Sequence, residues 1–193
     1  TPMTQEEARK SFKLNPSKKT ILIVGGSLGA QTVNSSIIEH LDLVQNTEVQ
    51  IIWQTGKRYF DKINEALKGK ELANLKVMDF ISDMGAAYKA ADLVISRAGA
   101  SSISEFQLIG KPVILVPSPN VAEDHQTKNA MALVNKDAAI FVSDADAPAM
   151  LLQLALDTIA NDEKLATLSK NVKEMGLQHS ADIIADEVLK LCK

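Results

Sequence analysis

Residues 93 to 130 read LVISRAGASSISEFQLIGKPVILVPSPNVAEDHQTKNA, and the fold follows from how this stretch is divided. The apolar runs Leu93 to Ile95 and Val113 to Val116 have the length and branching of buried parallel strands. One crossover helix lies between them, opened by Ala100-Ser101-Ser102. Small side chains, hydroxyls and unpaired N–H groups at the positive end of a helix dipole suit an anionic or polyhydroxyl ligand. Glu105 follows one turn after Ser101 on the same face. A carboxylate there repels a phosphate but accepts hydrogen bonds from a sugar diol, so a second turn is needed to hold phosphates.

That turn lies upstream. Thr20 to Val24 is a short β-branched run stopping at Gly25-Gly26, and the turn through Ala30 leads into a helix expected over Gln31 to Leu43. Strand, glycine turn and helix form half a βαβ unit, in which backbone amides can approach a diphosphate; tight packing alone also explains such glycines. The dinucleotide fingerprint does not fit, because Ser27 stands where its second glycine belongs and strand two, Val49 to Gln54, ends in Gln54-Thr55-Gly56 without an acid. Trp53 reads as a core or pocket-edge aromatic. Lys57 and Arg58 either approach phosphate or are simply solvated. A helix over Tyr59 to Leu67 and a third strand over Leu75 to Phe80 follow, then Ile81-Ser82-Asp83-Met84, in which Asp83 reads as the cap of a short helix through Ala91.

Downstream of strand four, Arg97 and Gly99 stand at the sheet edge where open α/β folds place ligands. Arg97 either steers a diphosphate or braces the turn through a carboxylate. After strand five, Pro117 and Pro119 restrict a loop that runs through Glu123-Asp124 to His125 and Gln126. A sixth strand is expected over Ala139 to Val142, then helices over Ala147 to Ala160, Asp162 to Met175 and Ser180 to Leu191 that cover the sheet, with Asp162 a cap and Gly176 a stop. The repeated βα order predicts an α/β fold with one doubly wound, six-stranded parallel sheet, Rossmann-like.

Composition agrees. The 193 residues are 46% hydrophobic, enough for a substantial core. With 21 basic against 24 acidic residues and no basic stripe interleaved with aromatics, nucleic acid is not an expected partner. Cys192, the single cysteine, rules out an internal disulfide and a cysteine metal cluster. His40 and His179 are isolated and read as structural. No apolar stretch approaches the ~20 residues of a spanning helix. Residues 1–19 are polar, with a helix expected over Thr4 to Phe12, capped by Thr4, docking on the domain surface.

Four runs in this order, Gly25-Gly26-Ser27-Leu28-Gly29-Ala30, Phe80-Ile81-Ser82-Asp83-Met84, Ser96 through Glu105, and Asp124 through Ala130, resemble the MurG family of bacterial glycosyltransferases. The resemblance covers roughly Thr20 to Lys193 and only the family's C-terminal half. It implies the donor half of a GT-B glycosyltransferase: 1–19 as a linker-derived segment with a short helix, 20–193 as the nucleotide-sugar domain, and an N-terminal acceptor domain absent. The opening Thr1 fits an excised fragment on that reading.

The implied reaction is inverting transfer of N-acetylglucosamine from UDP-N-acetylglucosamine to lipid-linked N-acetylmuramyl-pentapeptide in peptidoglycan synthesis, at the cytoplasmic face of the inner membrane. The matched positions imply a donor site of Gly25, Gly26, Ser27 and Gly29 on the diphosphate, the Ile81 main chain on uracil, Glu105 on the ribose hydroxyls, and His125 and Gln126 on the sugar. Arg97, Gly99, Ala100, Ser101 and Ser102 complete it. Some family members carry glutamine where this chain has His125. The base, the lipid-linked acceptor and the membrane-facing patch belong to the absent half, so no catalytic residue is expected here and the chain is expected to bind donor without transferring it. No cofactor or essential metal is expected, and a loosely bound magnesium is compatible with the site. Two alternatives stay open: a one-domain nucleotide-sugar subunit of a two-chain N-acetylglucosaminyltransferase, and a UDP-N-acetylglucosamine epimerase-like domain.

Overall fold

A computed structural model of the chain describes residues 2–25, 29–120 and 125–192. Six parallel strands form one sheet in the order β3-β2-β1-β4-β5-β6. They are β1 (Thr20–Val24), β2 (Gln50–Gln54), β3 (Leu75–Met78), β4 (Leu93–Ser96), β5 (Val113–Leu115) and β6 (Ile140–Phe141). The helices are α1 (Gln5–Ser11), α2 (Gln31–Ile38), α3 (Leu41–Gln45), α4 (Lys57–Leu67), α5 (Met84–Ala90), α6 (Ala100–Ile109), α7 (His125–Val134), α8 (Ala147–Ile159) and α9 (Asp162–Leu191).

Every residue of β1, β2, β4 and β5 is buried, as expected of strands covered on both faces. Because successive side chains alternate, the sheet feeds two cores. Leu22, Val24, Ile52 and Val94 pack with α5, α6 and Phe106 on one side. Ile21, Ile23, Ile51 and Trp53 pack with α2 and α8 on the other. Trp53 is fully buried, and its indole N–H donates to Asn34 Oδ1 at 2.9 Å, so it is a core residue. The chain grows outward from β1 through β2 to β3, then returns to β4 on the other side of β1. Val24 and Ser96 are register partners at the point where the connections diverge.

The expected N-terminal helix forms, with a capping box between Thr4 and Glu7. Its Arg9 is buried and donates to the Ala90 carbonyl at 3.1 Å and to Asp92 at 2.7 Å, fastening α1 to the domain.

Three expectations about the helices are corrected. The helix expected over Gln31 to Leu43 is two, because the His40 ring takes up the Ser36 carbonyl at 3.0 Å and the His40 N–H closes a tight final turn on Ile37. The two expected C-terminal helices are a single 30-residue α9 that runs through Gly176. That glycine is a contact residue, since a Cβ on it would stand 2.7 Å from the Gln107 carbonyl oxygen of α6. Asn161, and not Asp162, caps α9 by accepting from Lys164 N–H at 3.0 Å, while Asp162 pairs with Lys19. The early turns of α9 bury Leu168 and Val172, whereas residues 177–192 are exposed and cover no part of the sheet. β3 also ends at Met78, which leaves Phe80 outside the sheet and 48% exposed.

Candidate nucleotide-sugar site

A cavity of about 470 Å³ opens where β1 and β4 end. Gly25, Gly29, Ile81, Arg97, Gly99 and Ser102 line it, from three turns far apart in sequence. Gln54, Phe80, Met84, Tyr88, Ser118 and Gln126 also line it, with Val24 and Ser96 at the strand ends. Gly26 and Ser27 of the first turn, and Glu123 and Asp124 of the loop before α7, lie outside the described residues. A larger groove of about 510 Å³ runs between α6, α7 and α9, but of the residues expected to bind donor it holds Ala100 alone.

The three turns are built differently. In the first, Gly29 has φ +78°, and a Cβ there would stand 2.5 Å from the Thr55 carbonyl oxygen, so packing and conformation both demand glycine. A Cβ on Gly25 would likewise meet Ala30 N at 2.7 Å. In the third, Gly99 has φ −66°, and a Cβ built on it meets nothing within 4 Å. Its glycine is therefore unexplained by packing and leaves open space beside the backbone at the start of α6. No side chain caps this helix, so its first N–H groups face that space with the positive end of the dipole. Ser102 lines the cavity, and Ser101 is exposed at its rim.

At the middle turn, buried Ile81 donates its N–H to Gln54 Oε1 at 2.8 Å. This N–H is thereby committed within the protein, and the carbonyl is what remains of its main chain for a ligand. Asp83 accepts from Ala86 N–H at 2.9 Å and is the expected cap of α5. Lys57 stands 5.7 Å over the Phe80 ring, and Arg58 lies 5.5 Å over Tyr59; neither lines the cavity.

Arg97 braces the turn. Its Nη1 donates to Asp144 Oδ1 at 2.5 Å and to the carbonyls of Val116 and Pro117 at 3.1 and 3.3 Å. Thr32 donates to the other oxygen of Asp144 at 3.0 Å, which links α2 to the same knot. The run Asp144-Ala145-Asp146 has an Asp-x-Asp spacing, which corrects the expectation that no such metal motif is present. Both carboxylates have protein partners, Asp144 as above and Asp146 with Ser143 Oγ at 2.8 Å. Among the described residues no three acidic, histidine or cysteine side chains cluster as metal ligands.

Gln126 ties two loops together, its Oε1 accepting from Ala98 N–H at 3.2 Å and from Ser118 N–H at 3.0 Å. Asn129 adds a bond to the Ala98 carbonyl at 3.2 Å. His125 is exposed at the first position of α7 and does not line the cavity.

Glu105 is exposed on α6, three residues after Ser102, and accepts from the Tyr88 hydroxyl at 2.8 Å. Burial pushes the Tyr88 phenol above the ordinary tyrosine range, reinforced by its hydrogen bond to Glu105 and by that carboxylate's charge. Tyr88, Gln54 and Asn129 escaped the sequence reading. A signal existed for Tyr88, which lies four residues after Met84 on the same helical face.

A doubly wound sheet with its cavity at the diverging strand ends, in this architecture, is half of a GT-B glycosyltransferase. The chain belongs to glycosyltransferase family 28, matching the description "Glycosyltransferase family 28 C-terminal domain" over residues 20–185. It is 63% identical over 191 residues to the UDP-N-acetylglucosamine–N-acetylmuramyl-(pentapeptide) pyrophosphoryl-undecaprenol N-acetylglucosamine transferase of Bacteroides fragilis, covering 98% of this chain and 50% of that protein. The protein of the same description from Cytophaga hutchinsonii is 48% identical over 186 residues, with 96% and 49% covered. The crystal structure of Acinetobacter baumannii MurG superposes with a TM-score of 0.71 at 31% identity, covering 96% of this chain and 54% of that one. The resemblance to MurG read from the four motifs is thus borne out. The chain spans about half the length of the curated relatives it matches.

Proposed function

We propose that this chain is the donor-binding domain of an N-acetylglucosaminyltransferase of peptidoglycan synthesis, and that the cavity at the ends of β1 and β4 receives UDP-N-acetylglucosamine. The observation that carries this reading is the uncapped start of α6 beside the open Gly99, with the Glu105 carboxylate one turn away. Phosphate oxygens suit the first, and a ribose diol suits the second. The Ile81 carbonyl suits an N–H donor such as that of uracil. Gly26 and Ser27 belong to the diphosphate turn on this reading.

In the transfer, negative charge grows on the departing UDP. The turn after β1 and the α6 dipole stabilise that charge as it develops on this reading, and the α6 N-terminus is in place before reaction. Gln126, whose carbonyl oxygen is committed to two backbone donors, offers its amide N–H groups to the sugar, and His125 offers one ring nitrogen. The acceptor, its activating base and the membrane contact are assigned to the part of the relatives that this chain does not span. Without that part, the chain binds donor and transfers nothing.

Calorimetric titration of UDP-N-acetylglucosamine tests the donor site. Saturable binding on the order of 0.1–1 mM is expected for half a cleft, lost in Glu105→Ala and absent with NADH. A folded chain that gives no saturable heat with the donor would overturn the reading. Turnover of lipid-linked acceptor by these 193 residues would overturn the assignment of the base elsewhere.

A further inference from the structure

We propose that Tyr88 is a positioning residue for the ribose end of the donor, holding one oxygen of Glu105 and leaving the other for the ligand's diol. The inference rests on the donor-site reading of Glu105 and extends it to a residue that none of the four motifs contains.

Glu105 is exposed on a helix surface, where a glutamate ordinarily samples several rotamers. A carboxylate that must receive two adjacent hydroxyls loses affinity for each rotamer it has to abandon on binding. Tyr88 removes that freedom from the core outward. Phe106 is fully buried in α6, and the Tyr88 ring meets it edge-on, with centroids 6.0 Å apart and planes at 89°. The ring is thereby fixed between α5 and α6, and its hydroxyl reaches Glu105 Oε2 at 2.8 Å. Among the described residues Glu105 Oε1 has no protein partner. Tyr88 also lines the cavity, beside Ser102 and Ile81, whereas Glu105 is not part of the lining and is joined to it through the Tyr88 hydroxyl. The Tyr88 phenol, held above its ordinary range by burial, keeps its proton and remains a donor toward Glu105.

The test compares UDP with 2′,3′-dideoxy-UDP by calorimetry on the 193-residue chain, its Tyr88→Phe and Glu105→Ala variants and the double variant. Tyr88→Phe keeps the ring on Phe106 and removes one oxygen. The wild-type chain should favour UDP by on the order of tenfold or more, the worth of hydrogen bonds to a charged group. Tyr88→Phe should cut that preference about fivefold and leave dideoxy-UDP binding unchanged. Glu105→Ala should abolish it, and adding Tyr88→Phe to Glu105→Ala should change nothing further. A wild-type chain without preference for UDP overturns the ribose role of Glu105, and this proposal with it. A preference lost in Glu105→Ala but intact in Tyr88→Phe overturns the role of Tyr88 alone. Should Tyr88→Phe not fold, fluorotyrosine-labelled wild-type chain supplies the second readout. The Tyr88 fluorine resonance should move with UDP and stay with dideoxy-UDP, and equal shifts with both ligands would overturn the proposal.

Discussion

Arg97 and Asp144 close a contact of 2.5 Å between Nη1 and Oδ1 although they stand 47 residues apart, with side chains only 20% and 17% exposed. The pair joins the turn after β4 to the segment before α8. Desolvated partners of this kind leave a costly unpaired charge when one is removed. Asp144→Ala should therefore cost about 2–3 kcal/mol in urea denaturation. UDP affinity should fall with it, because the turn that carries Gly99 loses its brace. An unchanged midpoint would mean that the two remaining Arg97 contacts, to the Val116 and Pro117 carbonyls, suffice.

Arg9 and Asp92 form the corresponding fastening at the opposite end of the sheet. Asp92 also accepts the Thr20 N–H at 2.9 Å, so Asp92→Ala takes the counter-charge from a buried guanidinium and the acceptor from a strand donor together. A loss of about 3 kcal/mol is expected. Limited proteolysis should then cut before Thr20 much faster than in the wild type, since α1 loses its anchor.

Two glycines should part company. Gly176→Ala places a Cβ 2.7 Å from the Gln107 carbonyl oxygen and should cost about 1–3 kcal/mol. Gly99→Ala meets no atom within 4 Å. There the gain from a stiffer unfolded chain offsets the poorer cap to within about 0.5 kcal/mol. Its effect should appear instead as weaker UDP binding, measured against an unaltered melting curve.

The phenol of Tyr88 gives a pH signature. Below its ordinary value of 10.0 both folded and unfolded states keep the proton, and the contribution to stability is flat. Above that value the unfolded chain releases its proton first while the folded state retains it. Stability therefore falls as pH rises beyond 10.0, until the folded phenol ionises as well. Tyr88→Phe should flatten this part of the stability curve. Absorbance titration should show the late-ionising tyrosine disappear in the same variant, leaving Tyr59.

His125 and Gln126 should separate sugar contact from scaffold. His125→Ala should leave stability and UDP affinity unchanged while weakening UDP-N-acetylglucosamine by a few-fold, on the order of one lost hydrogen bond. Gln126→Ala removes the acceptor shared by Ala98 and Ser118 and should lower melting temperature and UDP affinity together. Equal behaviour of the two variants would contradict this division.

What could be read from sequence was local. β1 and β4 are runs of β-branched and apolar residues buried on both faces, and Thr4 and Asp83 cap their helices with their own side chains, three residues from their targets. The errors came from contacts distant in the chain. Gly176 has the propensity of a helix stop, and only the approach of α6 explains why the helix passes through it. Nothing near Arg97 in sequence announces Asp144, so steering and bracing could not be told apart. Tyr88 and Glu105 are 17 residues apart on different helices, and no periodicity relates them. Glu105 itself was legible because its place in a motif carries more information than its surroundings.

The single oxygen of Gln126 that receives both Ala98 and Ser118 makes the turn after β4 and the loop after β5 one mechanical unit. A ligand seated against either finds both already set. The entropy of aligning those two walls is lost when the chain folds, so the site is preorganised there and binding need order only what the ligand itself brings.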